Sequence, residues 1–388
     1  MMRHNKIRAG GLLLQVSSGA SSELSDTQTT TSDLLIRRPL KLRGPPDSIG
    51  RSEPARLRLK AGSVDTNRTL NGLHPSDVIA DRFRIIRFID RGGMGEVYEA
   101  EDLAMRSRHR LALKIIRRKI STNGAVVARF EREIEIGKEV THRNVCRIYD
   151  LGVHHAKDPS GRPVDIVFLT MELLQGSTLA LRLSRQGPLS TLEALPLIRQ
   201  IAEALTAVHA AGVVHCDLKP GNIMLVPVEN QECPRAVVTD FGLARRFPDL
   251  APNGEFTTYL VSADGTPDYM SPEQVMGLPL TPKSDIYALG LLTYQMLTGA
   301  LPFPGSDPHS RMRRRLQQDP TSPLHYIKGL DHEWERVLLR CLSIDPEVRF
   351  NSARDVVSAL TSINATPPDA SPDGTAGPYP QNFANRIA

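Results

Sequence analysis

His215-Cys216-Asp217-Leu218-Lys219-Pro220-Gly221-Asn222 is followed, eighteen residues after Asn222, by Asp240-Phe241-Gly242. Apolar runs predict short strands over Ile223–Val226 and Ala236–Thr239, so the two polar clusters sit on loops framed by strands. Loops spaced in this way can place two carboxylates and an amide around one Mg²⁺-nucleotide. Asn222 and Asp240 offer hard oxygen ligands, the kind Mg²⁺ prefers.

The remainder of the 388-residue chain tests that reading. Hydrophobic residues at 40% and charged residues at 23% fit a globular protein rather than a fibrous or disordered one. Cys146, Cys216, Cys233 and Cys341 lie far apart with no Cys-x-x-Cys pair. That spacing suggests neither a zinc site nor a disulfide framework, and points to a reducing cytoplasm. No run of eighteen apolar residues exists, so no membrane span is expected, and Gly11–Val16 is too short for a signal-peptide core. The net charge of +5 is local. Arg37, Arg38, Lys41, Arg43, Arg51, Arg56, Arg58 and Lys60 stand against only Asp47 and Glu53, leaving the rest of the chain near neutral. A solvated tail explains this run, with contact to an anionic surface or nucleic acid as the alternative. Nothing in the chemistry-bearing region requires nucleic acid.

Residues 1–80 are rich in Ser, Thr, Gly and Arg and read as a disordered leader. Order is expected from Asp81. Strands are predicted around Phe83–Ile89, Val97–Ala100, Leu111–Ile116, Asn144–Leu151 and Val164–Met171, with a polar loop holding His154 and His155 between the last two. Val127, Phe130, Ile134 and Val140 keep helical spacing over residues 124–140. After residue 175 the pattern turns helical, over residues 190–212, Ile286–Leu297, Glu333–Leu342 and Ala353–Leu360. Residues 362–388 are rich in Pro, Gly and Asn and read as a disordered tail.

Asp90-Arg91-Gly92-Gly93-Met94-Gly95-Glu96-Val97 lies between two predicted strands. Its glycines serve either a hairpin turn or the close approach of backbone N–H groups to a triphosphate. Lys114 sits within the apolar Leu111–Ile116, a costly place for an ammonium without a partner. It either snorkels out from an edge strand or pairs with a carboxylate, for which Glu133 on the following helix is the candidate.

These motifs together closely resemble the catalytic and metal-binding loops of protein kinases, over about Asp81–Thr361. Gly93-Met94-Gly95-Glu96-Val97-Tyr98 and Tyr269-Met270-Ser271-Pro272-Glu273-Gln274 most resemble the bacterial, eukaryotic-like serine/threonine branch. The resemblance implies an α+β, two-lobed fold: an antiparallel-sheet lobe with one helix over about 81–172 and a mostly helical lobe over about 173–361. It implies Asp217 as the group that orients the attacking hydroxyl and takes its proton, and Lys219 as the cation on the γ-phosphoryl group. It further implies Asn222 and Asp240 as Mg²⁺ ligands, with Mn²⁺ as an alternative, and a Lys114–Glu133 pair on the α/β-phosphates. Gly92, Gly93 and Gly95 would cover the phosphates. Val97 and Ala112 would cap the adenine from above and Met224 from below, Met171 would gate the pocket, and the backbone of Glu172–Leu174 would bond the base. Ordinary core packing explains the same apolar residues equally well. Glu273 is expected to pair with Arg349 and Asp285 to anchor the catalytic-loop backbone.

The chain departs from the family pattern at three places. Asp90 stands where the first glycine is usual. Cys216 replaces an arginine that grips a phosphorylated activation segment, so activity is expected not to depend strongly on phosphorylation there; Thr257, Thr258, Ser262 and Thr266 are candidate self-phosphorylation sites. Gly137 stands where a bulky side chain packs on Phe241. Arg311-Met312-Arg313-Arg314-Arg315 reads as a solvated helix face or as a dock for an acidic partner. No acidic residue follows Gly176 directly, which gives no support for basic substrates. Many members of the bacterial branch continue into a membrane span and sensor; here an intracellular regulator, or the leader, is expected. The implied activity is transfer of the γ-phosphoryl group of ATP to Ser/Thr hydroxyls of proteins, including the chain itself. A nucleotide-binding scaffold without transfer and a small-molecule phosphotransferase on the same fold are the rivals. The presence of Lys114, Asp217, Asn222 and Asp240 argues against the first, and the Gly265-Thr266-Pro267 and Ser271-Pro272-Glu273 segment against the second.

Overall fold

A computed structural model describes residues 73–92, 95–105, 109–116, 134–135, 137–157, 160–240, 245–246 and 267–365. Gly93, Phe130, Glu133, Phe241, Gly242, Thr257, Thr258, Ser262, Thr266, the leader up to residue 72 and residues 366–388 lie outside them.

The amino-terminal part is an antiparallel sheet. Strands β1 (Val78–Ile79), β2 (Phe83–Gly92), β3 (Gly95–Asp102), β4 (Arg110–Ile116), β5 (Ile148–Lys157) and β6 (Pro163–Met171) run in the order β1-β2-β3-β4-β6-β5. Alternation along β4 sends Leu111, Leu113 and Ile115 to one face. There they pack with Ile79, Phe83, Ile85, Tyr98, Ala100 and Phe168. β1 precedes Asp81, and Ile79 is part of this core.

β2 and β3 run a few residues beyond their expected spans, and β5 differs most. β5 begins at Ile148 and runs through His154 and His155, the stretch read above as loop. Its outer half is polar because it lies at the sheet edge, where solvent rather than core faces the side chains. Cross-strand partners on β6 hold it, with His155 opposite Asp165 and their side chains 2.7 Å apart.

The carboxy-terminal part is helical: α1 (Leu179–Gln186), α2 (Thr191–Ala210), α3 (Pro272–Met276), α4 (Pro282–Thr298), α5 (Pro308–Gln317), α6 (His332–Cys341) and α7 (Ala353–Ala365). Their starts are written locally. Ser190, Ser271, Thr281 and Asp307 each form a capping box, and proline opens α3, α4 and α5. Helix α4 is buried almost all round, from Ser284 to Leu297, which makes it the axis of this lobe. Gly290 marks its closest approach to α6: a Cβ there would lie 2.6 Å from Cβ of Cys341. Short strands β7 (Ser177–Thr178), β8 (Val213–Val214), β9 (Ile223–Val226), β10 (Arg235–Val238) and β11 (Arg245–Arg246) lie on top of the helices; β9 pairs with β10, and β8 with β11.

Residues 144–146 are bound to β10. Val238 N donates to Asn144 O (2.8 Å), Cys146 N to Val238 O (2.9 Å) and Asn144 Nδ2 to Ala236 O (2.7 Å). Among the described residues no helix is long and apolar enough to cross a membrane.

Candidate active site

The loop between β8 and β9 carries Asp217, Lys219 and Asn222, and its shape is held from α4. Asp285, in the first turn of that helix, accepts from the backbone N–H groups of His215 (Oδ2, 2.8 Å) and Cys216 (Oδ1, 2.9 Å), and from Nε2 of His209 (2.7 Å). Burial would raise the Asp285 carboxyl, but the hydrogen bond and charge of His209 and the His215 backbone N–H outweigh it and hold it below the ordinary value. The helix N-terminus adds positive potential at the same place. His215 accepts from Asp217 N at Nδ1 (3.2 Å), so its Nε2–H donates to Thr239 O (3.0 Å), linking this loop to the one that ends in Asp240. Cys216 takes φ +66° and Asp240 φ +62°, left-handed conformations that non-glycine residues seldom adopt. Both occur where the chain turns a polar group inward.

Asp217 is held on two sides. Lys219 Nζ lies 2.8 Å from Oδ2 and 3.1 Å from Oδ1. Asn222 Nδ2 donates to Asp217 O (2.8 Å) and Oδ2 (2.9 Å), so both amide hydrogens are used and the amide oxygen remains as the ligand atom. Across the cleft Lys114, only 5% exposed, places Nζ 2.5 Å from Oδ1 of Asp240. Burial alone would raise the Asp240 carboxyl; Lys114 and Lys219 hold it below its ordinary value, so it is a carboxylate at neutral pH. Asp240 is a partner that lowers the cost of burying Lys114; Glu133, the partner expected from the sequence, lies outside the described residues.

The sheet register explains the nucleotide face. Val97 stands opposite Lys114, and Ala112 opposite Met171. Directly opposed residues share a face, as do residues two apart on one strand, so Val97, Ala112, Lys114 and Met171 lie together on the side away from the sheet's own core. Met224 lies on β9, opposite Val237 and Thr178. The Glu172 carboxylate is taken by Arg235 (2.8 Å) and its N–H by Arg147 O (2.9 Å), leaving the Glu172 carbonyl and the Leu174 backbone as polar groups of this connection.

The glycines of the β2–β3 turn are not equivalent. A Cβ on Gly95 would lie 1.8 Å from Ile115 O, so glycine is dictated there by the packing of β3 on β4, whereas a Cβ on Gly92 would meet nothing within 4 Å among the described residues. Asp90 is not left-handed, which is why a side chain is tolerated, and its Oδ1 accepts from Arg91 N (2.7 Å). At the base of the turn Glu96, 1% exposed, accepts from Arg91 Nη2 and from the Tyr98 hydroxyl, each at 2.8 Å.

Below the loop, Glu273 and Arg349 form the expected buried pair at 2.8 and 2.9 Å, with Ser284 Oγ donating to Glu273 at 2.6 Å. Gln274 Nε2 donates to Cys216 O (2.7 Å). The space left by Gly137 is partly taken by Ile148, whose Cδ1 would sit 3.0 Å from a Cβ built there. In the Arg311–Arg315 cluster Arg313 and Arg314 are exposed, as a solvated face requires, while Arg311 and Arg315 turn inward. Arg311 grips Asp268 in a two-pronged ion pair (2.6 and 2.9 Å), and Arg315, 3% exposed, donates to Met270 O (2.6 Å) and Asp268 O (2.5 Å). Charge periodicity gave no sign of this, because the acceptors are largely main-chain carbonyls.

Comparison with known proteins follows this geometry. Residues 83–360 match the protein kinase domain. The chain is 32% identical over 294 residues to serine/threonine-protein kinase PknB of Mycobacterium tuberculosis, covering 75% of this chain and 44% of that protein. It is 34% identical over 278 residues to serine/threonine-protein kinase PrkC of Bacillus subtilis, covering 72% and 40%. It is 35% identical over 289 residues to serine/threonine-protein kinase pkn3 of Myxococcus xanthus, covering 74% and 50%. The chain thus spans half or less of the length of these curated relatives. In fold it is similar to the kinase domain of Mycobacterium tuberculosis PknI, with a TM-score of 0.58 at 23% identity, over 75% of this chain and 99% of that one. The chain belongs to the protein kinase family, alongside bacterial serine/threonine kinases.

Proposed function

We propose that the chain is a serine/threonine protein kinase of the cytoplasm that transfers the γ-phosphoryl group of ATP to Ser/Thr hydroxyls of proteins, itself among them. One observation carries the reading: Asp217 is held by both Lys219 and Asn222 on a loop whose neighbour presents Asp240 to Lys114. Asp217 receives and orients the acceptor hydroxyl. Because the transition state is loose, placement matters more than basicity, and a carboxylate fixed on two sides supplies placement. Lys219 moves between Asp217 and the transferred group, offsetting its charge.

Asn222 Oδ1 and the second carboxylate oxygen of Asp240 fit a divalent cation. They are hard donors at adjoining loop ends, too few to enclose an ion alone, as suits Mg²⁺ or Mn²⁺ completed by phosphate oxygens and water. The bound ion would neutralise phosphate charge. Lys114 holds the α/β-phosphates, Gly92 and Gly93 give them backbone room, and Val97, Ala112, Met171 and Met224 enclose the base against the Glu172–Leu174 backbone.

The test is label transfer from γ-labelled ATP with Mg²⁺ to the protein itself and to a generic basic protein, comparing wild type with Asp217→Asn. Transfer by the wild type alone supports the assignment. A folded wild type that binds ATP and transfers nothing refutes it in favour of a nucleotide-binding scaffold.

A further inference from the structure

A cavity of about 410 Å³ opens along the seam of α2 and α7, with His142 also in its lining. On α2 the lining repeats at helical spacing. Ala202, Thr206 and Ala210 stand four residues apart and form one stripe of small side chains, about 12 Å long at 1.5 Å per residue. Thr206 Oγ1 donates to Ala202 O (2.7 Å), so the hydroxyl is spent within the helix. Val357 of α7 completes an apolar floor.

The rim is charged. Arg199 and Glu203 of α2 and Arg354 of α7 line the same cavity, and all three are exposed. Two guanidiniums against one carboxylate leave one positive charge without a counter-charge among the described lining residues. Asp355, next to Arg354, is not in the lining and accepts from Ser352 N (3.0 Å) at the start of α7. His142 Nδ1 accepts from Asn144 N (3.2 Å), which leaves the ring hydrogen on Nε2 as a further donor. The cavity thus adjoins the segment 144–146 that is bonded to β10, and Gln200, beside Arg199, receives Asn144 Nδ2 (2.9 Å).

We propose that this cavity is a docking site for an acidic segment of a partner protein: Arg199 and Arg354 take one Asp or Glu carboxylate, and an apolar side chain one helical turn away rests on the Ala202–Ala210 stripe. Guanidinium forks match a carboxylate, and small residues on the floor leave the room that a leucine needs. The charge balance selects the occupant. One carboxylate cancels the surplus charge, whereas a phosphate dianion would bring excess negative charge beside Glu203.

The experiment is fluorescence anisotropy of the full chain with fluorescein-labelled peptides on an alanine-rich frame. A leucine stands one helical turn from a position varied among Glu, Gln, Lys and phosphoserine. The Glu peptide is expected to bind most tightly, and more weakly as salt rises. Arg199→Gln and Arg354→Gln should each weaken it by about threefold to fivefold, the size of one exposed ion pair, and together by about tenfold or more. Glu203→Gln should strengthen it by about threefold, because a like charge leaves the rim. Replacing the peptide's leucine by serine should cost about fivefold. Equal binding of Glu and Gln peptides, arginine variants that bind as wild type does, or weaker binding by Glu203→Gln overturns the inference. Tighter binding of phosphoserine than of Glu also overturns it, in favour of a phosphopeptide site. Glu203→Gln, whose effect has the opposite sign, keeps the test decisive if an arginine variant loses stability. Binding is read without ATP, so the outcome is independent of the kinase reading.

Discussion

Gln274 donates its side-chain amide to the carbonyl oxygen of Cys216 at 2.7 Å, so the residue after Glu273 holds the residue before Asp217. Where the resembled family uses an arginine at position 216 to hold a phosphorylated segment, this chain uses main-chain acceptors and neutral or basic side chains from the segment and from α5. Arg311, Arg315, Gln274 and the Glu273–Arg349 pair fix residues 268–274 without a phosphate.

It follows that dephosphorylation should matter little. A sample treated with phosphatase and shown by mass spectrometry to be free of phosphate is predicted to keep its kcat for a peptide substrate within about threefold, because no cation at position 216 awaits a phosphate. A drop of a hundredfold would refute this.

Asp285→Ala removes the acceptor for two backbone N–H groups and His209. Each buried donor left unpaired costs roughly 1–3 kcal/mol, so a loss of about 3 kcal/mol is predicted in urea unfolding, together with reduced kcat. A slower enzyme of unchanged stability would instead place Asp285 in the chemistry.

The two glycines of the β2–β3 turn should separate by assay. Gly95→Ala forces a Cβ into Ile115 O, and a cost of about 1–3 kcal/mol is predicted from thermal melts. Gly92→Ala meets nothing among the described residues, and is predicted to melt like wild type while raising KM for ATP. Equal stability losses would show that the turn needs both glycines for folding.

Acid should weaken the fold through Glu273. Burial would raise this carboxyl, but the Arg349 guanidinium and the Ser284 hydroxyl outweigh it and hold it below its usual value. The folded protein therefore keeps the charge to lower pH than the unfolded chain. The contribution is complete above about pH 4.3, the unfolded value, and is lost as pH falls through the lower folded one. Glu273→Gln leaves Arg349 buried without its counter-charge, so a loss on the order of 3 kcal/mol is predicted at pH 7. The gap between variant and wild type should close below pH 4 in denaturation curves taken across pH, and a gap independent of pH would count against the pair.

The parts of this architecture that sequence disclosed are those where chemistry forces a local pattern. Asp217, Lys219 and Asn222 lie within six residues, so their meeting needs only a loop. The partners of Asp285 and Glu273 were legible through the resemblance of their motifs to those of protein kinases, and the burial of both carboxylates makes such partners obligatory. Hidden features depend on distant placement. Lys114 and Asp240 are 126 residues apart and meet only through the stacking of two lobes. Arg315 bonds carbonyls, which every residue carries, so nothing in the letters marks its target. The polar half of β5 reads as loop because an edge strand can keep its backbone ladder while its side chains face water.

The bonds from Asn144 and Cys146 to β10 give the molecule a mechanical character. Residues 144–146 belong in sequence to the upper lobe yet are fastened to the lower one, and Glu172 N returns to Arg147 O at 2.9 Å close by. These points form a pin. A tilt of the sheet about this pin would change the gap between Lys114 and Asp240 while keeping these bonds. A ligand that bridges Lys114 and Asp240 would then act on the tilt alone, with the fastening at residues 144–146 left intact.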